Sequence, residues 1–196
     1  ILVFILSIII FLFIGDFNYL ETLSIVLSSI ATSGITINSI NNNFTFLFII
    51  LTIVGGSLIS NTSGIKFIRF YILLKGSFFE VLRLVKPNNI VNQNILLSNK
   101  KIDSDNIKIS FLIFISFFIS LFILSSILLL DNFNFENSFK LSILTITNTS
   151  TSGLYGLGNI DFSNLLTSSK ISLIIFMIIG KIELISFFLI IKKILF

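Results

Sequence analysis

Residues 19–35 read YLETLSIVLSSIATSGI and residues 135–154 read FENSFKLSILTITNTSTSGL. In each, a short and moderately apolar segment, 19–30 in the first and 135–147 in the second, runs into a cluster of Thr, Ser and Gly. At 1.5 Å of rise per residue such segments make helices of about 18–20 Å, well short of a hydrocarbon core of roughly 30 Å. Apolar but too short and too polar to cross, they are predicted to be re-entrant helices that dip into a membrane and return to the same side.

The membrane is inferred from what surrounds them. Of 196 residues 55% are hydrophobic and only 11% are charged, more apolar surface than a soluble fold of this size can cover with polar groups. Phe numbers 24 while Trp, His and Cys are absent, and Ile, Asn and Lys abound. This is the imprint of an AT-rich genome, so the placement of polar residues carries more weight than the Phe and Ile content. The lack of Cys excludes disulfides and thiolate metal sites, and the lack of His removes the commonest base and zinc ligand. No paired acids lie within the spans either, so neither an enzyme nor a cofactor is expected.

The run 109–130, broken only by Ser, is long enough to cross a bilayer and is the clearest transmembrane helix. A second candidate is 171–191, with Lys181 and Glu183 near its middle. A third, 44–74, is interrupted by Gly55-Gly56-Ser57 and by Ser60-Asn61-Thr62-Ser63-Gly64. The apolar stretch 1–14 is shorter than a span and lacks the basic region and cleavage signature of a signal peptide. Opening at Ile1 without Met, the sequence is read as the C-terminal portion of a longer protein cut within a membrane helix. The predicted fold is an all-α integral membrane protein of tandem helix, pore loop, helix repeats, as in potassium channels. The expected units are 1–75, a cytoplasmic connection 76–106, and 107–196.

Charge supports this order. Lys66, Arg69, Lys75, Arg83, Lys86, Lys100, Lys101 and Lys108 stand against Glu80, Asp103 and Asp105 in the connection, which the positive-inside rule places in the cytoplasm. Lys192 and Lys193 put the end of the chain on the same side. Asp16, Glu21, Asp131, Glu136 and Asp161 then fall outside, either as a cation-attracting mouth or simply as polar loops.

Three short matches in the same order mark a duplication. Phe17-Asn18-Tyr19 answers Phe133-Asn134-Phe135, Leu23-Ser24-Ile25-Val26 answers Leu141-Ser142-Ile143-Leu144, and Thr32-Ser33-Gly34-Ile35 answers Thr151-Ser152-Gly153-Leu154. A re-entrant helix whose C-terminal end points at the membrane centre aims partial negative charge there. The extended stretch after it can offer backbone carbonyls in place of an ion's hydration shell, and Gly34 and Gly153 supply the backbone freedom such a stretch needs. A lone Thr-Ser-Gly would more simply be a turn outside the membrane; the duplication, each time behind a short apolar helix, favours a pore.

The filter stretches are therefore taken as Ala31, Thr32, Ser33, Gly34 and Ile35, and as Ser150, Thr151, Ser152, Gly153 and Leu154. The interruption bearing Gly55, Gly56, Ser57, Asn61, Thr62, Ser63 and Gly64 is either an unwound gate beneath the filter or a packed kink. Lys181, costly at mid-span, either faces the conduction path or pairs with Glu183 or another acid.

These residues resemble the membrane subunit of Trk/Ktr/HKT-type potassium transporters, and most closely its TrkH branch. Thr62-Ser63-Gly64-Ile65-Lys66-Phe67-Ile68-Arg69 is similar to the family's Thr-Gly-Gly-Ile-Lys-x-x-Arg, and Gly180-Lys181-Ile182-Glu183 is similar to its Gly-Arg-Leu-Glu. Phe79-Glu80 through Lys86-Pro87 also resembles a cytoplasmic stretch of that family. The resemblance implies that this chain supplies the third and fourth of four repeats around one potassium pore, with residues 55–64 as the intramembrane gating loop and Lys181 in place of a pore-facing Arg. It implies a multi-pass protein of the bacterial cytoplasmic membrane, a homodimer, and a cytosolic nucleotide-binding ring as regulatory partner.

Three departures stand out. Lys181 keeps the charge of Arg but not its planar fork, and Ser63 stands where Gly is usual. The last filter reads Asn148-Thr149-Ser150-Thr151-Ser152-Gly153 where the family tends to Asn, a residue, Gly, Pro, Gly. An ungapped count from Leu141 against Leu23 sets Ser152, not Gly153, opposite Gly34. A secondary carrier with broken helices, such as a sodium-coupled symporter, is the competing transporter reading, although such carriers usually show inverted repeats. A structural membrane subunit is the other alternative.

Overall fold

A computed structural model describes residues 5, 8, 10–12, 18–35, 45–56, 60, 62–85, 103–131, 133–149, 157 and 162–182. Within them the chain forms helices α1 (Tyr19–Ala31) and α2 (Thr45–Ile53), a two-residue strand pair β1 (Val54–Gly55) and β2 (Ile65–Lys66), then α3 (Phe67–Val85), α4 (Ser104–Leu129), α5 (Phe135–Ile146) and α6 (Thr167–Ile182). A single 3₁₀ turn, Phe162–Asn164, precedes α6.

The centre of the molecule is α4, which packs against α3, α5 and α6. Its buried residues Ile113, Phe117, Leu121, Leu124 and Leu128 recur at three- and four-residue steps and so form one face. Ser110, Ser116, Ser120 and Ser125 lie on the same face. Their hydroxyls donate to carbonyls of the preceding turn of their own helix, at 2.8 Å from Ser120 to Phe117, for example. Small side chains that satisfy themselves in this way let neighbouring helices approach closely without an unpaired polar group at the seam.

The opposite face of α4 is apolar too. Phe111, Leu112, Ile115, Ile119, Phe122 and Ile123 are all exposed, Phe122 by 56%. A continuous apolar face this large is suited to lipid or to further protein and not to water. At 26 residues, α4 is also the one helix among those described that is both long and apolar enough to cross a membrane. It begins at Ser104, five residues before the apolar run, because Asp103 occupies the N-cap in extended geometry and Asp105 adds an acid to the first turn.

α5 is different in kind. Leu141, Ser142, Leu144 and Thr145 are 0% exposed and Ile143 and Ile146 nearly so, so a helix of 12 residues is enclosed by protein on nearly every side of its second half. At about 18 Å it stops inside the layer that α4 crosses. α1, with 13 residues, packs on α2 and β1, and Ile25, Val26, Phe48, Ile65 and the α4 and α5 leucines share one core.

The interrupted span is broken where its glycines sit. α2 ends at Ile53, Val54 pairs in parallel with Ile65 and Gly55 with Lys66, and helix resumes at Phe67. From there α3 runs without a break to Val85, passing Gly76, which rests on Ile107 of α4. The remainder of the connection, 86–102, lies outside the described residues, as do residues 183–191 of the last predicted span.

The two faces of α4 make separable predictions. Leu121→Ala should lower the stability of the purified protein by about 2–5 kcal/mol, since the side chain is enclosed by protein. Ile119→Ala, whose side chain lies on the exposed face, should cost about 1 kcal/mol or less. Thermal unfolding in detergent micelles compares the two.

Candidate functional site

The two short helices end in the same way. Each starts behind an asparagine in extended geometry, Asn18 before α1 and Asn134 before α5. Each is followed by a non-glycine residue in the left-handed region, Thr32 at φ 49° directly after α1 and Asn148 at φ 57° one residue beyond the Thr147 that caps α5. The next residue then folds back on the helix. Ser33 donates its N–H to the Ser28 carbonyl at 3.1 Å and Thr149 donates to the Leu144 carbonyl at 2.7 Å. Inside the helices Ser29 bonds the Ile25 carbonyl and Thr145 the Leu141 carbonyl.

All these pairs share one constant spacing along the chain; the match of Phe17-Asn18-Tyr19 with Phe133-Asn134-Phe135 keeps it, and the other two residue matches are corrected by it. That spacing sets Thr32 against Asn148 and Gly34 against Ser150, not against Gly153 or Ser152. The matched Leu-Ser-Ile motifs are out of step by two residues, because in a chain this rich in Leu, Ile, Ser and Thr residue identity is a weak guide. Helix ends are fixed instead by capping geometry.

At the first candidate filter, Ala31 closes α1, Thr32 is buried and Gly34 is half-buried, while Ser33 and Ile35 are exposed. Gly34 has φ +70°, a conformation that costs glycine least. Ser28 ties the stretch to its helix: its hydroxyl donates to the Ile35 carbonyl at 2.6 Å and accepts from the Ser33 hydroxyl at 2.9 Å. Residues 33–35 are thereby held beside the end of α1. The second filter, Ser150 to Leu154, lies outside the described residues.

Between the two helix ends stands the broken span. Gly56 donates its N–H to Thr62 Oγ1 at 3.0 Å, and the Ser60 hydroxyl joins the same oxygen at 2.9 Å. A Cβ on Gly55 would lie 2.5 Å from the Ser63 carbonyl oxygen. Gly64 has φ +85°, and a Cβ there would meet the Ile53 carbonyl at 2.9 Å. Ser57 and Asn61 lie outside the described residues.

Ser63 is 2% exposed and touches both helix ends. Its N–H donates to Thr32 Oγ1 at 3.1 Å, and its Oγ accepts from Asn148 Nδ2 at 3.0 Å. The same amide donates to the Met177 carbonyl of α6 at 3.1 Å. Thr32, Ser63, Asn148 and α6 therefore meet in one hydrogen-bonded junction. Asn148 was not among the residues predicted for the site. The signal that could have found it was the family's filter Asn, which Asn148 matches; the structure adds that Asn148 sits in the left-handed region and reaches Ser63.

Two further features frame the junction. Gly180 of α6 lies so close to the end of α5 that a Cβ would overlap the Ile146 carbonyl oxygen. Its neighbour Lys181 is exposed. At the far end of α5, Lys140 hydrogen-bonds the Glu136 carboxylate, and that bond together with its charge holds Glu136 below the ordinary carboxyl range. Glu136 thus remains an anion in the first turn of α5, where the helix dipole favours one.

Each glycine contact is testable. Gly180→Ala must push α5 and α6 apart against a well-packed core, a cost of about 1–3 kcal/mol. Gly64→Ala adds left-handed strain of about 1–3 kcal/mol to its clash with backbone. Both variants should show a lower melting temperature in detergent than Gly76→Ala, whose neighbours are flexible side-chain atoms of Ile107.

No family model matches the chain. It is 26% identical over 171 residues to an uncharacterized cation transporter of Methanocaldococcus jannaschii, an alignment covering 85% of this chain and 34% of that protein. Its structure is similar to the crystal structure of the potassium transporter TrkH from Vibrio parahaemolyticus, with a TM-score of 0.78 at 19% identity, over 96% of this chain and 41% of that one. The chain thus spans about a third of the curated relative's length. From the paired helix ends to the broken span between them, this is the fold of the membrane subunit of a Trk-type potassium transporter, the family its motifs resemble.

Proposed function

We propose that the chain is the filter-bearing part of a transporter that passes potassium, or a similar monovalent cation, across a membrane. The observation that carries this reading is the meeting of two re-entrant helix ends, Thr32 and Asn148, at one buried serine, Thr32 at its backbone N–H and Asn148 at its hydroxyl. Two helix C-termini brought to one place concentrate partial negative charge there. Non-helical backbone beside them has carbonyls to offer a desolvated cation. The Ile35 carbonyl is engaged by Ser28, which leaves Thr32, Ser33 and Gly34 as the ion-facing candidates of the first filter. In the register of the helix ends, the corresponding stretch of the second is Asn148, Thr149 and Ser150, with Ser150 in the place of Gly34.

On this reading no bond is made or broken and no cofactor takes part, so the protein is not an enzyme. Residues 55–64 form the gating segment and Lys181 adds a positive charge near the path. The complete protein holds two further repeats, works as a homodimer in the cytoplasmic membrane of a bacterium, and is regulated by a cytosolic nucleotide-binding ring. The TrkH-like fold and the cation-transporter relative support the transport of a cation across a membrane; the dimer, the bacterial membrane and the regulatory ring rest on the resemblance of the motifs alone.

The test is growth of a potassium-uptake-deficient bacterial strain on low external potassium, restored by the complete protein. Gly34→Leu should remove that growth and reduce rubidium uptake by about tenfold or more, with unchanged protein in the membrane fraction. Unaltered uptake would refute the filter assignment.

A further inference from the structure

The junction at Ser63 places one residue of the broken span in contact with both short helices. Its backbone N–H and side-chain oxygen reach partners 31 and 85 residues away in the chain. The orientation of the Asn148 amide is fixed by chemistry. Met177 offers a carbonyl, which only accepts, so the NH₂ group must face it. The second amide hydrogen then goes to Ser63 Oγ. An alanine or glycine at 63 leaves that hydrogen without its acceptor in a buried place, where an unmade hydrogen bond is costly.

Ser63 itself has little freedom. Its carbonyl lies against Gly55, its neighbour Thr62 accepts from the Gly56 N–H, and Ile65 is paired with Val54 two residues on. Where the β1–β2 pair sits therefore determines where Ser63 sits. Through Ser63 it also determines the spacing of the left-handed residues from which both candidate filters depart.

We propose that Ser63 is a positioning residue that ties both filter-bearing helix ends to the broken span and to α6, so that discrimination between cations depends on where that span sits. The role rests on the transport reading above. Ser63 does not touch the ion; it acts through Thr32 and Asn148.

The experiment compares the complete wild-type protein with Ser63→Ala, Asn148→Ala and the double variant in liposomes, measuring rubidium and sodium uptake at matched protein amounts. Ser63→Ala is expected to lower the rubidium-to-sodium ratio by about fivefold, the size of effect one hydrogen bond carries, and Asn148→Ala, which also loses the bond to Met177, by at least as much. The double variant should lower it no further than Asn148→Ala, because both remove the same bond. Should Ser63→Ala fail to accumulate, Ser63→Gly removes the same hydroxyl while keeping the N–H that binds Thr32. An unchanged ratio in the single variants, or a double variant whose loss is the product of the two, overturns the proposal. A wild type that carries neither ion refutes the transport reading instead, and melting of the same four proteins in detergent then decides the junction alone. Non-additive losses of stability support it, and additive ones overturn it.

Discussion

Backbone that is not helical can lie at membrane depth only if protein or trapped water takes up its hydrogen bonds, and this requirement shapes the middle of the molecule. Three stretches break the helical pattern there: the end of α1, the end of α5, and the gap between α2 and α3. Each answers part of the need of another. The gap closes on itself through a two-residue parallel ladder and the Thr62 hydroxyl. Its Ser63 then takes up the Asn148 amide and gives its N–H to Thr32.

The close packing around this centre has the same origin. Polar side chains are plentiful in the core, yet most turn to their own helix. Ser142 bonds the Ser138 carbonyl, Thr145 that of Leu141, and Thr147 that of Ile143. With those hydroxyls satisfied locally, α5 can be enclosed without the penalty of a bare donor. Glycine appears where main chain meets main chain, at Gly55 against Ser63 and at Gly180 against Ile146.

Much of this was legible in the sequence. The apolar run 109–130 is the body of α4, the two short segments are α1 and α5, and Gly55 and Gly64 bracket the break in the third span. Gly34 has the positive φ that its place after an apolar helix required. Less legible was the register of the repeats, because Leu-Ser-Ile and Thr-Ser-Gly recur by composition while the residues that end the helices, Thr32 and Asn148, differ in type. Ser63 was legible as part of the candidate gate and as a departure from the family's glycine, but not as the partner of both helix ends. A hydroxyl added to a buried position must find a partner, and which partner depends on residues far away in the chain. No local pattern carries that information.

The serines of α4 have a further consequence for how this helix evolves. Because Ser116, Ser120 and Ser125 bond within their own turn, none of those bonds points a neighbour in a particular direction. The seam with α3, α5 and α6 is then matched by volume alone. Exchange of serine for alanine along this stripe keeps the fit, whereas a glycine would cost the helix about 1 kcal/mol and a branched side chain would wedge the helices apart.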